Sequence, residues 1–574
     1  MSAPHRARIL GTRHMASGGH SLAAQAAFQI LEAGGNAVDA GVAGGLVLNV
    51  VLSEFVSFGG VAPIMISLAG GGEIVTISGL GWWPKASRLE TFHREHGGRI
   101  PPGVLRTIVP AAPDAWITAL ARYGTMRFGE VAATAIRLAR DGFPISSLSC
   151  EIIASYEKQL RRWPSNAALY LPKDRPPQPG ECFALPDLAR TMQHMADEER
   201  AAGGDRRTGL EAARDAFYRG DIAAAIAKYQ QQHGGWLSME DLAEYRSAVE
   251  PPVVGRFRDL DVYTCGPWCQ GPVLSQALSL LEGIDLHSLG HNSPAYIHVV
   301  TEALKLAFAD RHHYYGDPRF VNVPMEALLS RAYAARRQAL IRPDRASDGM
   351  PPPGSPDDLG VAPATTGAPG SPRQPSAPEA LDTSYICVAD SHGNLFSATP
   401  SDGAESGPVV PGLGFVASTR GSQSWTDPSL PACLAPGKRP RLTPSPTIVA
   451  RRGSWRMPIG SPGNDVQPQA MLEVLLNSIV FDMRLQEAIE QPRFATFSFP
   501  QSSEPHNYAP GRLNLEGRLP AATADALRQL GHNVVPWPDW EWRAGAVCLV
   551  RRDEGSGLLE GAADPRRPCA AIGW

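Results

Sequence analysis

Residues 383–399 read Thr383-Ser384-Tyr385-Ile386-Cys387-Val388-Ala389-Asp390-Ser391-His392-Gly393-Asn394-Leu395-Phe396-Ser397-Ala398-Thr399. Two runs rich in apolar and β-branched residues flank an Asp-Ser-His-Gly-Asn turn, which predicts a β-hairpin. The preceding segment, Pro351 to Ala380, consists mostly of proline, glycine, serine and alanine, with hardly a large apolar side chain. Such a segment cannot offset the entropy of its own ordering, so a mobile linker is expected over 351–380. Chain breaks are tolerated in loops of this kind. A threonine hydroxyl is a weak nucleophile unless a base adjoins it. A threonine that begins a chain carries its own base, an α-amine with an ordinary pKa of about 7.7–8. A cut before Thr383 would create that amine. On pattern alone, a plain hairpin after a loop is the better account of the stretch.

Outward from the hairpin, the chain alternates helices with short buried strands. Ser21 is the expected cap of a first helix, which stops at Gly34-Gly35-Asn36. A nearly all-apolar helix is expected from Ala37 to about Ser53, then strands at Ile64–Ser67 and Ile74–Ser78. Further helices are expected at 113–123, 128–141 and 187–199. Ser293-Pro294 caps a longer one reaching Tyr314. This pairing points to a layered α/β or α+β body.

The 574 residues, 43% apolar and 19% charged with a net charge of −4, describe a large globular chain with a sizeable core. No basic excess advertises nucleic acid or an anionic membrane surface. Met1 to Leu10 lacks the apolar run of a secretory signal, and Val38 to Val51 is too short to span a bilayer. A cytoplasmic location is expected, with no nucleic-acid or membrane partner. Eight scattered cysteines follow no zinc spacing, including Cys265 and Cys269, so reduced thiols are expected and no metal or cofactor. His312-His313 are neighbours that point apart on a helix, and Cys387, on the strand face of Thr383, is expected to pack.

Many phrases recur in one order: Leu31-Glu32-Ala33-Gly34-Gly35-Asn36-Ala37-Val38-Asp39-Ala40, Tyr123-Gly124-Thr125, Ala307-Phe308-Ala309-Asp310-Arg311, Gly316-Asp317-Pro318, Pro436-Gly437-Lys438-Arg439-Pro440, Ser445-Pro446-Thr447 and Gly460-Ser461-Pro462-Gly463. Through them the chain resembles the γ-glutamyltranspeptidase family of N-terminal-nucleophile hydrolases. The resemblance implies an α+β fold, a four-layer αββα sandwich built from both products of self-cleavage. It also implies a cut between Asp382 and Thr383, giving a large subunit, 1–382, and a small subunit, 383–574, that stay together. The implied partner is a small-molecule amide.

By the same resemblance, Thr383 is the nucleophile and Ser401 its supporting hydroxyl, within Ser401-Asp402-Gly403 where the family carries Thr-x-Asn. Gly463 and Asn464 would offer backbone N–H groups to an oxyanion, although the family's second glycine is asparagine here. The acyl pocket departs further. Arg420-Gly421-Ser422-Gln423 places Gln423 where the family holds a substrate ammonium with aspartate, and introduces Arg420, expected with Arg88 and Thr443 to recognise an anionic acyl group of the substrate. Thr443 keeps one of two hydroxyls, the other position being Leu442. Arg88, in Ala86-Ser87-Arg88, resembles the family's carboxylate-binding arginine. The implied activity is γ-glutamyl or related amide cleavage and acyl transfer. Loss of the ammonium-binding carboxylate leaves open an acylase or amidase for dicarboxylic or oxamate-type amides. A non-catalytic, unprocessed relative is the reading from another class.

Overall fold

The computed structural model describes residues 5–70, 73–355 and 383–574. The expected linker lies outside them from residue 356 onward, and so does Asp382. Two seven-stranded antiparallel sheets dominate. In spatial order the first runs Ile9–Gly11, Leu559–Ala563, Cys548–Asp553, Trp455–Gly460, Thr447–Arg451, Leu260–Thr264 and Val253–Phe257. The second runs Ala570–Gly573, Met15–Gly18, Ile386–Ala389, Leu395–Ala398, Ile64–Ser67, Ile74–Ile77 and Val249–Glu250.

Side-chain alternation along the hairpin explains the layering. Ile386 and Val388 point outward into a core shared with the helices Ser21–Glu32 and Ala37–Val51. Tyr385, Cys387 and Ala389 point the other way, against Cys548, Val550 and Leu559 of the first sheet. That sheet's outer face, with Val262, Val449 and Met457, is covered by the helices Gly271–Leu281, Pro294–Tyr314 and Gln467–Ile479. The result is helix, sheet, sheet, helix: the α+β sandwich that the resemblance implies. Among the described residues no helix is long and apolar enough to cross a membrane.

Most expected elements fall within two residues of their expected bounds. The cap of the first helix is a correction. Ser21 is its first residue and His20 the cap, because the His20 ring nitrogen accepts from the Leu22 N–H at 3.2 Å. The second helix stops at Val51. It starts at Asn36, which forms a reciprocal capping box with Asp39. At the hairpin turn, Asp390 accepts from the N–H groups of His392 (3.0 Å) and Asn394 (2.9 Å), while Gly393 takes the positive φ of 91°.

Candidate active site

Hairpin register builds the first half of the site. Ile386 pairs with Ala398, so three residues further along each strand Thr383 stands opposite Ser401. Their hydroxyl oxygens are 2.8 Å apart, and both residues are fully buried. Ser401 is fixed by reciprocal backbone bonds with Val61, 3.0 and 3.1 Å. The Arg420 guanidinium donates to Ser401 Oγ. Arginine has donors only, so Ser401 accepts there and its own proton can be directed at Thr383 Oγ1.

The second half comes from the other sheet. Trp455–Gly460 ends against Tyr385, where a Cβ on Gly460 would lie 2.2 Å from the tyrosine ring. Only glycine admits this approach, which brings Ser461-Pro462-Gly463-Asn464 toward the Thr383 end of the hairpin. Gly463 and Asn464 have φ of 116° and 53°, opening a 3₁₀ turn that runs into the helix Gln467–Ile479. Helix-start N–H groups have no partner within the helix and favour negative charge. Gln270 holds this turn by donating to the carbonyls of Asn464 (2.8 Å) and Thr443 (3.0 Å). Arg311, itself bonded to Gln270 and Asp465, sits behind it.

One short 3₁₀ segment, Arg420–Gln423, joins the halves. Arg420 reaches Ser401. Gln423 donates to Thr443 Oγ1 (2.9 Å), Ser503 Oγ (3.0 Å) and Asn464 Oδ1 (3.3 Å), and its Oε1 accepts from the Thr443 N–H (3.0 Å). Thus Thr383, Ser401 and Arg420 form one group, and Gln423, Thr443, Asn464 and Ser503 an adjoining one. Arg88 is left out: it is exposed, and its guanidinium bonds the carbonyl of its neighbour Ser87.

A cavity of about 470 Å³ adjoins Asn464 and Ser503 and is also lined by Arg106, Arg162 and Glu405. Sequence reasoning missed Arg106. It is 5% exposed, and two backbone carbonyls pin it, Pro101 to Nε at 2.8 Å and Ile100 to Nη2 at 2.6 Å. Burial lowers its pKa to about 10, with Glu504, Glu405 and Asp402 opposing. Its carbonyl abuts Gly421, where a Cβ would lie 2.3 Å away, so Arg106 packs against the Arg420 turn. No motif marks it; only the lacing of 103–108 to 406–421 places it, through Gly103 N–H to Ser406 O (2.9 Å) and Ile108 N–H to Ser418 O (3.0 Å). Ser503 and Gln270 were missed for the same reason.

One cluster has ligand types suited to a metal: His298, Glu302 and His532, all buried. Most of its polar atoms are already engaged, although the buried His532 Nδ1 has no partner among the described residues. Glu302 accepts from Lys305 Nζ (2.7 Å) and from Ser347 N–H and Oγ, while His298 bonds His532 (2.9 Å) and the Arg342 carbonyl (2.6 Å). A buried ammonium on the carboxylate opposes a cation there, and the cluster ties its helix to neighbouring loops. All eight cysteines are free thiols.

This sandwich is the fold of N-terminal-nucleophile hydrolases. Residues 23–574 match the family model described as gamma-glutamyltranspeptidase. The chain therefore belongs to the γ-glutamyltranspeptidase family. It is 33% identical over 569 residues to an Acylase ACY 1 proenzyme of Pseudomonas sp. (strain SE83), covering 96% of this chain and 92% of the relative. It is 29% identical to the glutathione hydrolase-like YwrD proenzyme of Bacillus subtilis (strain 168), covering 98% and 99%. A cephalosporin acylase from Bacillus halodurans superposes with a TM-score of 0.85 at 27% identity, covering 100% of this chain and 98% of that one. The chain is a member of a family of hydrolases.

Proposed function

We propose that the chain is a self-processing N-terminal-threonine hydrolase that cleaves γ-glutamyl or related amides through an acyl-threonine intermediate. The observation that carries this reading is the 2.8 Å pair Thr383–Ser401, just before the strand Ile386–Ala389 and backed by Arg420. The cut falls between Asp382 and Thr383 and leaves 1–382 and 383–574. The new α-amine takes the proton of Thr383 Oγ1 as that oxygen attacks the amide carbonyl. Backbone N–H groups at Gly463 and Asn464 receive the oxyanion. The amine leaves with the transferred proton, and water, or an accepting amine, releases the acyl group.

Arg106, with Thr443, meets a carboxylate on the acyl half. An ammonium is less well served. Gln423 stands where the family carries aspartate; its acceptor oxygen is uncharged and already takes the Thr443 N–H on one of its two lone pairs. This supports acyl groups chosen by their carboxylate, whether or not they carry the glutamyl amine. Arg88 has no part in the proposal.

The test compares glutathione, a glutaryl amide and oxamate, and traps the intermediate by acid quench. A mass increase equal to the acyl group on the fragment beginning at Thr383 is the expected result. Turnover without such an adduct, and undiminished in Thr383→Ala, would exclude the mechanism. A preference for glutathione over the glutaryl amide by more than about tenfold (~1.4 kcal/mol) would restore the ammonium as the recognised group.

A further inference from the structure

Asp402 follows Ser401 directly, is fully buried, and has φ of 139°, a backbone region that L side chains avoid. A non-glycine residue is strained there, so the surroundings must enforce it. Backbone bonds do part of this: Asp402 N–H donates to Phe55 O and Ser57 N–H donates to Asp402 O, both at 3.1 Å. Gly60 makes room, since a Cβ there would lie 2.7 Å from the Asp402 Cβ.

The carboxylate does the rest. Its Oδ2 accepts from Ser418 Oγ at 2.6 Å, and its Oδ1 from Thr419 N–H (3.1 Å) and Thr419 Oγ1 (2.7 Å). All three donors lie on the two residues immediately before Arg420. A ring of contacts therefore closes: Ser401, its chain neighbour Asp402, the Ser418-Thr419 pair, Arg420, and back to Ser401 through the guanidinium. The three donors suit the two acceptor oxygens of a carboxylate; burial pushes the Asp402 pKa up, and Arg420, Ser418 and Thr419 oppose that by favouring the ionised form. A loop that only needed this backbone shape would be served by glycine without strain.

We propose that Asp402 is a positioning residue: its carboxylate fixes Ser418-Thr419, so that Arg420 holds Ser401 with its proton on the Thr383 nucleophile. The inference rests on Thr383 being that nucleophile. Asp402 touches neither substrate nor Thr383 and acts through Arg420.

The test is a double-mutant cycle on the processed enzyme with Asp402→Gly, Arg420→Gln and the pair, plus Asp402→Asn. Circular dichroism and melting report folding. We expect Asp402→Gly to lower kcat at least about tenfold with KM within about threefold, Arg420→Gln to lower it by about a hundredfold, and the pair to match Arg420→Gln alone. Asp402→Asn keeps an acceptor for Thr419 and should fall between wild type and Asp402→Gly. Wild-type kcat in folded Asp402→Gly, or losses that multiply in the pair, would overturn the proposal. Where Asp402→Gly does not fold, Asp402→Asn decides: a partial kcat loss at constant KM supports it, and wild-type kcat overturns it. A wild-type enzyme that neither cuts itself nor turns over an amide would instead defeat the nucleophile reading, which separates the two failures.

Discussion

Ser401 accepts a hydrogen bond from the Arg420 guanidinium while standing 2.8 Å from Thr383 Oγ1, so under the proposed mechanism its own hydroxyl proton would stabilise charge developing on Thr383. Ser401→Ala should therefore slow acylation by about 10–100-fold with little change in KM, as measured by single-turnover kinetics. An unchanged acylation rate would remove Ser401 from the mechanism. Arg106 makes a different prediction, because two carbonyls pin its guanidinium at the cavity rather than at the nucleophile. Arg106→Met should raise KM about tenfold or more for amides whose acyl half carries a carboxylate, and much less for neutral acyl amides. Equal effects on both classes would mean that Arg106 supports the fold alone.

At the scale of elements, the hairpin register sets Thr383 against Ser401, and the Gly460–Tyr385 approach draws the strand leading into the Gly463-Asn464 turn against the hairpin. Gly460→Ala places a Cβ 2.2 Å from a buried ring that has nowhere to move. Overpacking of this kind costs about 1–3 kcal/mol, which denaturant melting would detect, and self-cleavage should slow as the strand ends part. The hairpin was legible because alternation and turn chemistry are local. Thr383, Ser401, Gly463 and Asn464 were legible because each sits in a recognisable phrase. The Arg420–Gln423 bridge was legible only in part: both residues stood out as candidates for the substrate, but their bonds to Ser401, Thr443, Asn464 and Ser503 depend on tertiary packing. Arg106 was not legible, because its place depends on contacts between 103–108 and 406–418, some 300 residues apart in the chain. Arg88 shows the converse: its phrase resembles the family's, yet its side chain faces solvent. His20 displaced Ser21 as helix cap because a ring nitrogen also accepts an N–H, which a propensity rule does not count.

Across the whole molecule, both sheets interleave strands from the two sides of residue 383. Met15–Gly18 lies between Ala570–Gly573 and Ile386–Ala389. Cleavage before Thr383 should therefore leave fragments that co-elute under native conditions and separate only in denaturant. Separation without denaturant would contradict the interleaved sandwich. Glu473, on the helix Gln467–Ile479 that follows the Gly463-Asn464 turn, tests the buried core by pH. Burial pushes its carboxyl up to about 8 from an ordinary 4.5, with Arg493 opposing. A pKa raised on folding means stability that is full below 4.5 and lost as pH rises through about 8. The melting temperature of Glu473→Gln minus that of wild type should thus grow between pH 5 and 8 and level off above. A difference independent of pH would show that the group titrates normally.

Everything proposed for Thr383 depends on its becoming the first residue of a chain. Intact mass and N-terminal sequencing of the purified protein at neutral pH, beside Thr383→Ala, measure this directly. The account predicts two wild-type fragments, the smaller beginning at Thr383, and one uncut chain in the variant. A folded wild-type chain that stays whole, or a variant that cuts at the same bond, would contradict it.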